Sequence, residues 1–258
     1  MKALKKAINV WFIILFWLGV WELSALAVGQ ELYFPTTFSV ISCLTRLVLT
    51  SDFWIAVLLS IVRVVLGIVI AIILGIILAI LTSHSKILYE LFYPMLTIIK
   101  ATPVASFIIL AIIWIGASKL PIFICALMVF PIVWAAVSDG IKAIDKKHKE
   151  LAAVFRFSFE KKLRLIYIPT VAPYFLSACK TSIGLAWKAG VAAEVLAVSP
   201  LSIGKHLFNA KTYFEVPELF AWTITVIILS LFIEYFVTRL LKITEKKYVH
   251  TRNYADNK

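Results

Sequence analysis

Residues 64–81 read VVLGIVIAIILGIILAIL, eighteen consecutive positions without a polar side chain. A helix rises 1.5 Å per residue, so about 20 such residues cross the hydrocarbon core of a bilayer. The stretch grows to about 53–82 before it stops at Ser83-His84-Ser85-Lys86, and it reads as a membrane span. Outward from it, comparable runs recur at about 8–28, 103–117, 120–138, 170–198 and 218–241. A chain of 258 residues that is 62% hydrophobic, with a mean hydropathy of +0.97, is too apolar for a soluble domain. The expectation is an all-α integral membrane protein with about six transmembrane helices, forming one domain over residues 1–258.

Charge placement sets the orientation. The net charge of +12 is concentrated in short segments that flank the apolar runs. The N-terminus, the 83–86 turn, the 139–168 loop and the tail are basic, whereas 29–52, 117–120 and 199–217 are nearly neutral. The positive-inside rule therefore places both termini and the 139–168 loop in the cytoplasm. No basic patch interleaves with exposed aromatics, so nucleic acid is not an expected partner. Lys2, Lys5 and Lys6 precede the first run, and Ala25-Leu26-Ala27 looks like a signal-peptidase site. That run is about 22 residues long, more than a signal-peptide core, and is read as a retained first span. Between it and the second span, 29–52 has room for a short amphipathic helix on the outer surface.

Catalytic motifs are missing from the sequence. There is no GxxxxGK[ST] loop, no HExxH, no GxSxG and no Cys-x-x-Cys. Cys43, Cys125 and Cys179 are scattered, and His84, His148, His206 and His250 fall in separate loops. The chain is expected neither to be an enzyme nor to bind a metal or cofactor itself.

Three features stand out. The stretch Glu150 to Pro169 reads ELAAVFRFSFEKKLRLIYIP, with Leu151, Val154, Phe155 and Phe159 at helical spacing. Such a helix either lies on lipid headgroups or docks into a partner's groove. In the fifth span, Lys180, Trp187 and Glu194 are seven apart and share a face, with Lys188 about 100° around the helix. Ionisable groups in a span usually face a bundle interior or water, so this face is expected to turn to a pore. There the lysines would attract an anion, and Glu194 would pair at a gate or meet an external protein; alternatively Lys188 and Glu194 snorkel or make a structural ion pair. In the second span, Gly67, Ala71, Gly75 and Ala79 recur every fourth residue, a spacing that lets helices approach closely. Arg63, one turn earlier, either snorkels outward or lines the translocation path.

The loop Glu150–Pro169 resembles the EAA loop of binding-protein-dependent ABC importer permeases. Glu150, Ala152, Ala153 and Pro169 fall at matching places, and Arg156 occupies the family's glycine position. TPVASFIILAIIWIG (Thr102–Gly116) is similar to the family's third span. GLAWKAGVAAEVL (Gly184–Leu196) is similar to the fifth span of nitrate/sulfonate/taurine-type permeases, and YFPTTFSVI (Tyr33–Ile41) to their external entry segment. The likeness covers most of 20–240.

The resemblance implies a type I importer permease fold in the bacterial plasma (inner) membrane. It implies a second permease copy, expected as a homodimer, cytoplasmic ABC ATPase subunits that use ATP and Mg, and an extracytoplasmic solute-binding protein. Glu150 to Phe159 would form most of a coupling helix, with Leu151, Ala152, Ala153, Phe155, Arg156, Ser158 and Pro169 in the coupling loop. With Arg156 in place of glycine, the loop is expected either to be shaped differently or to continue as helix. The implied cargo is a small anion such as sulfonate, taurine or nitrate. Competing readings are an energy-coupling-factor-type scaffold, an ATP-independent channel or secondary transporter, and an intramembrane enzyme.

Overall fold

The computed structural model describes residues 2–256, with side chains described for 11–241. Its helices, in chain order, are α1 (Lys2–Val28), α2 (Thr37–Val48), α3 (Ser51–His84), α4 (Lys86–Ala101), α5 (Val104–Ile115), α6 (Leu120–Lys142), α7 (Lys146–Val154), α8 (Phe159–Lys162), α9 (Ile168–Ala197), α10 (Ile203–Thr212) and α11 (Val216–Asp256). A π-helical turn, Leu163–Tyr167, joins α8 to α9.

Among the described residues, four helices are long and apolar enough to cross a membrane: α1, α3, α6 and α11. The pair α4–α5 makes a fifth candidate, but it is bent by 108°. The sequence expectation of a third span over 103–117, extended by what precedes it, is therefore corrected to a sharply broken element. The break follows from Pro103, which lacks an N–H and disfavours helical geometry at the residue before it. Thr102 accordingly sits at ψ 133°, and its hydroxyl caps back to Ile98 O at 2.8 Å. The remaining expected span, the fifth in chain order, is α9. It is less apolar because it carries Lys180, Lys188 and Glu194, yet its 30 residues give roughly 45 Å of helix.

The core is a stack of α3, α6 and α9, and glycine sets its spacing. A Cβ at Gly67 would lie 2.5 Å from Cys125 Cβ and 2.6 Å from Ile122 O, and one at Gly75 would lie 2.9 Å from Val133 Cβ. On the other side of α6, a Cβ at Gly190 would lie 2.7 Å from Cys125 Sγ. The small-residue stripe of the second span is thus the surface that lets α3 close onto α6. Several polar groups in this core bond across helices, while Ser138 Oγ of α6 is buried without a partner. Trp134 Nε1 donates to Thr82 Oγ1 at 3.0 Å, Cys125 Sγ to Ala186 O at 3.2 Å, and Trp187 Nε1 to Val226 O at 3.2 Å.

The amphipathic helix expected within 29–52 is α2. It buries Val40 and Cys43 against Ala221 of α11, with Trp21 of α1 packed alongside. The first span touches the rest of the chain mainly here. Trp21 Nε1 donates to Pro35 O at 2.9 Å, and Glu22 Oε2 accepts from Thr37 N at 2.9 Å. From Trp11 to Val20 every side chain of α1 is exposed. The segment 199–217, expected as a loop, contains α10. Its N-cap Ser202 accepts from Lys205 N at 3.0 Å, and Ile203, Gly204 and Ala210 are buried.

Gly67→Leu inserts a branched side chain where even a Cβ collides with Ile122 O. The expected result is a loss of about 1–3 kcal/mol, read as a lowered melting temperature of the detergent-solubilised protein. The same change at Gly19, where an added Cβ meets nothing within 4 Å, should leave the melting temperature in place.

Candidate functional site

Two clusters contain the residues singled out from the sequence, one at each end of the helix stack. The first is the loop between α6 and α9. Asp145 caps α7, its side chain accepting from Lys147 N at 3.0 Å. The helix stops at Val154, so the expectation that Glu150 to Phe159 forms one helix is corrected. The stop is a Schellman motif. Phe157 N donates to Ala152 O at 2.9 Å and Arg156 N to Ala153 O at 3.1 Å, with Arg156 at φ +48°. Arg156 therefore makes the left-handed turn that glycine makes at no steric cost, and the continued helix is not observed. Arginine holds the geometry because Phe157 on one side of the turn and Ala152 on the other pack together with Ile144, Ile166 and Tyr167.

Ala152 is the inward anchor of this loop, at 2% exposure. Ser158 caps α8, its hydroxyl accepting from Lys161 N at 3.4 Å. Glu150, Leu151, Ala153, Phe155 and Arg156 are all exposed. The apolar stripe read from the sequence is split between α7 and α8 and left bare: Val154 is 78% exposed, Phe155 66% and Phe159 81%. Pro169 is the second residue of α9, where proline is well tolerated. The π-helical turn just before it, with Ile168 N bonded to Leu163 O, eases the crowding a proline ring causes one turn back.

The second cluster lies at the opposite end and is buried. Glu194, 1% exposed, accepts from Ser60 Oγ at 2.7 Å, Arg63 Nη1 at 3.2 Å and Gly204 N at 3.3 Å. Arg63 also donates to Pro200 O at 2.7 Å and Leu201 O at 3.4 Å, and Ile203 N donates to Ser60 Oγ at 3.1 Å. Ser199 Oγ reaches Ala117 O at 2.7 Å. One carboxylate and one guanidinium thus tie α3, α9 and the turn into α10 together. That turn holds two non-glycine residues in the left-handed region, Val198 at φ +50° and Leu201 at φ +47°. Gly204 admits the close packing, since a Cβ there would collide with Glu194 Cβ and Val195 N.

This geometry corrects the pore-facing reading of the shared face of α9. Glu194 and Trp187 are each 1% exposed and are enclosed by this chain's own helices; Trp187 belongs to the core with Val191 and Trp222. Arg63 neither snorkels nor stands open to a path, because its guanidinium is engaged by Glu194 and two carbonyls. Lys188, about 100° around from Trp187, is exposed, and Lys180 is half-buried. Ser60 and Gly204 went unnoticed in the sequence. The available signal was Ser60 lying three residues before Arg63, hence on the same side of α3. His206 stacks on Trp222 at 4.5 Å. Burial pushes its imidazole below the ordinary value, against the pull of Glu218 and Asp52.

A sequence profile described as the binding-protein-dependent transport system inner membrane component matches residues 71–250. The chain is 25% identical over 238 residues to a Bacillus subtilis (strain 168) permease protein named for aliphatic sulfonates transport, covering 92% of this chain and 84% of that one. It is 26% identical over 236 residues to a nitrate import permease protein of Synechocystis sp., covering 86% and 84%. Among solved structures, a chain of an amino acid ABC transporter with histidines superposes with a TM-score of 0.58 at 16% identity, over 74% of this chain and 91% of that one. The last is a likeness of fold.

Two substitutions test the clusters. Arg63→Ala leaves the Glu194 carboxylate buried without its cation and is expected to cost about 3–5 kcal/mol, whereas Arg63→Met with Glu194→Gln should recover much of that loss. Arg156→Gly relieves the left-handed backbone and should stabilise the loop by about 1 kcal/mol, while Arg156→Val should destabilise it. Thermal unfolding of the purified protein reads both.

Proposed function

The chain belongs to the family of binding-protein-dependent transport system inner membrane components, multi-pass proteins of the plasma membrane, and from that premise we propose that it forms the translocation pathway of an ATP-driven importer for a small anion. ATP and Mg are used by separate cytoplasmic ATPase subunits, an extracytoplasmic solute-binding protein delivers the cargo, and a second copy of this chain completes the pore.

The observation that carries this reading is the bare apolar patch on the basic, cytoplasmic side. Val154, Phe155 and Phe159 project from a turn whose backbone is fixed by the Schellman bonds and by Ala152 beneath it. A rigid exposed patch flanked by Glu150 and Arg156 suits insertion into a groove on a soluble partner. Nucleotide-driven movement of the ATPases would act through this loop on α9, which continues from it through the π-helical turn. Such a partner shifts the pore only by contacting its two states with different free energy.

The cargo reading rests on chemistry and kinship. The relatives are named for sulfonates and nitrate. The cations of α9 are Lys180, half-buried, and Lys188, exposed. Taurine, a sulfonate or nitrate fits that pattern, with Lys188 the more open of the two.

Copurification of the ATPase with tagged permease from membranes tests the coupling assignment. Wild type should retain the ATPase, and Phe155→Asp or Glu150→Lys should lose at least about tenfold of it, since charging a central apolar contact costs about 1.4 kcal/mol or more. Failure of folded wild type to retain any ATPase would leave a channel or secondary transporter as the better reading.

A further inference from the structure

The turn between α5 and α6 lies on the outer side and carries a single charge, Lys119. Lysine and arginine are sparse on that side, by the same bias that orients the chain. Lys119 is exposed, and neither salt bridge among the described residues involves it. The turn itself is well fixed. Gly116 holds φ +74°, and Ala117 O accepts from Ser199 Oγ at 2.7 Å, which ties it to the outer turn after α9.

An open groove of about 460 Å³ starts at Lys119. Its floor is one face of α6, from Lys119 through Phe123 and Leu127 to Phe130. Its walls are Ile70 and Leu74 of α3 and Ile115 of α5. The floor positions recur at intervals of three and four, so they form one stripe. Lys119 stands at the end of this stripe, and every other residue lining the groove is apolar. Ile70, Leu74 and Phe123 stay substantially exposed to whatever fills it.

Length and charge together identify the occupant. From Lys119 to Phe130 the helix advances about 16 Å. The hydrocarbon of one leaflet is about 15 Å deep, half of the bilayer's apolar thickness. The groove therefore begins at the outer water boundary and stops near the bilayer midplane. A helix packed along α6 would need a groove running through both leaflets. A half-depth apolar groove with a cation at its mouth instead matches a molecule with a hydrocarbon chain and an anionic head. A lysine at this depth lays its stem on apolar surface and holds its ammonium at headgroup level.

We propose that this groove seats an anionic phospholipid of the outer leaflet, one acyl chain lying along Phe123, Leu127 and Phe130 and the phosphate paired with Lys119. The bound chain fills the space between α3, α5 and α6 and braces the α5–α6 turn, and through Ser199 it supports the outer turn after α9. This assignment depends on membrane insertion alone and not on the cargo.

The test places a photoreactive benzoylphenylalanine at position 123 of the full chain, in vesicles of phosphatidylethanolamine and phosphatidylglycerol in equal parts. Illumination followed by intact-protein mass spectrometry identifies what is captured. Phosphatidylglycerol adducts should exceed phosphatidylethanolamine adducts about fivefold, the preference that one exposed charge pair at about 4 Å confers. The same group at position 58, on the exposed outer half of α3 and outside the groove, should capture the two lipids as they occur in the vesicle. Lys119→Met should reduce the enrichment at position 123 to that level. Capture of a second copy of this chain in place of lipid would overturn the proposal. Capture without enrichment, or enrichment that survives Lys119→Met, would overturn it as well. Thermal unfolding gives a reading that needs no probe. Phosphatidylglycerol added to delipidated protein should raise the melting temperature of wild type more than that of Lys119→Met, and equal rises would overturn the assignment.

Discussion

Cys125 sits where two helices close on a third. Gly67 of α3 meets it from one side and Gly190 of α9 from the other, each without room for a methyl group. Lipid offers no hydrophobic drive for helices to associate, so packing and interhelical hydrogen bonds must hold the stack, and both require close approach. The Cys125–Ala186 and Trp134–Thr82 bonds lie within this stack, and the Trp187–Val226 bond ties it to α11. Once α3, α6 and α9 are fixed, the two functional ends follow. The cytoplasmic loop hangs between α6 and α9, and the outer turn between α9 and α10 is pinned to α3.

Both ends rely on backbone held in the left-handed region by residues other than glycine. Arg156 does so at the cytoplasmic loop, and Val198 and Leu201 at the outer turn. Such geometry persists where the surroundings over-determine it. At the loop the constraint is apolar, with Ala152 and Phe157 clasped across the turn. At the outer turn it is ionic, with Arg63 bonded to two carbonyls and to Glu194. The same helix, α9, joins the two, entering from the π-helical turn and ending at Val198. A movement imposed at the loop has a continuous rigid element along which to reach the outer turn.

The charges of α9 divide by environment. Glu194 is enclosed and bonded three ways, by Ser60, Arg63 and Gly204, and its work is structural. Lys188 lies about 120° around the helix from Glu194 and is exposed. One helix thus carries a buried ion pair that fixes the fold on one side and an exposed cation on another.

Much was determined by the sequence alone. Apolar run length and the basic loops establish a multi-span helical protein and its orientation, because hydrocarbon thickness and lysine–arginine bias act on local segments. The ordered motifs, Glu150-Leu151-Ala152-Ala153 among them, indicated the family. Seven-residue periodicity correctly placed Trp187 and Glu194 on one face of α9, but it said nothing of what that face meets. Only tertiary structure decided that it meets α3, α10 and α11. The Arg63–Glu194 pair joins residues 131 apart in the chain. Arg156 likewise looked like a departure from the turn, and the packing beneath the loop made it the turn. Periodicity reports direction around one helix axis, whereas burial and charge compensation depend on neighbours that no local pattern specifies.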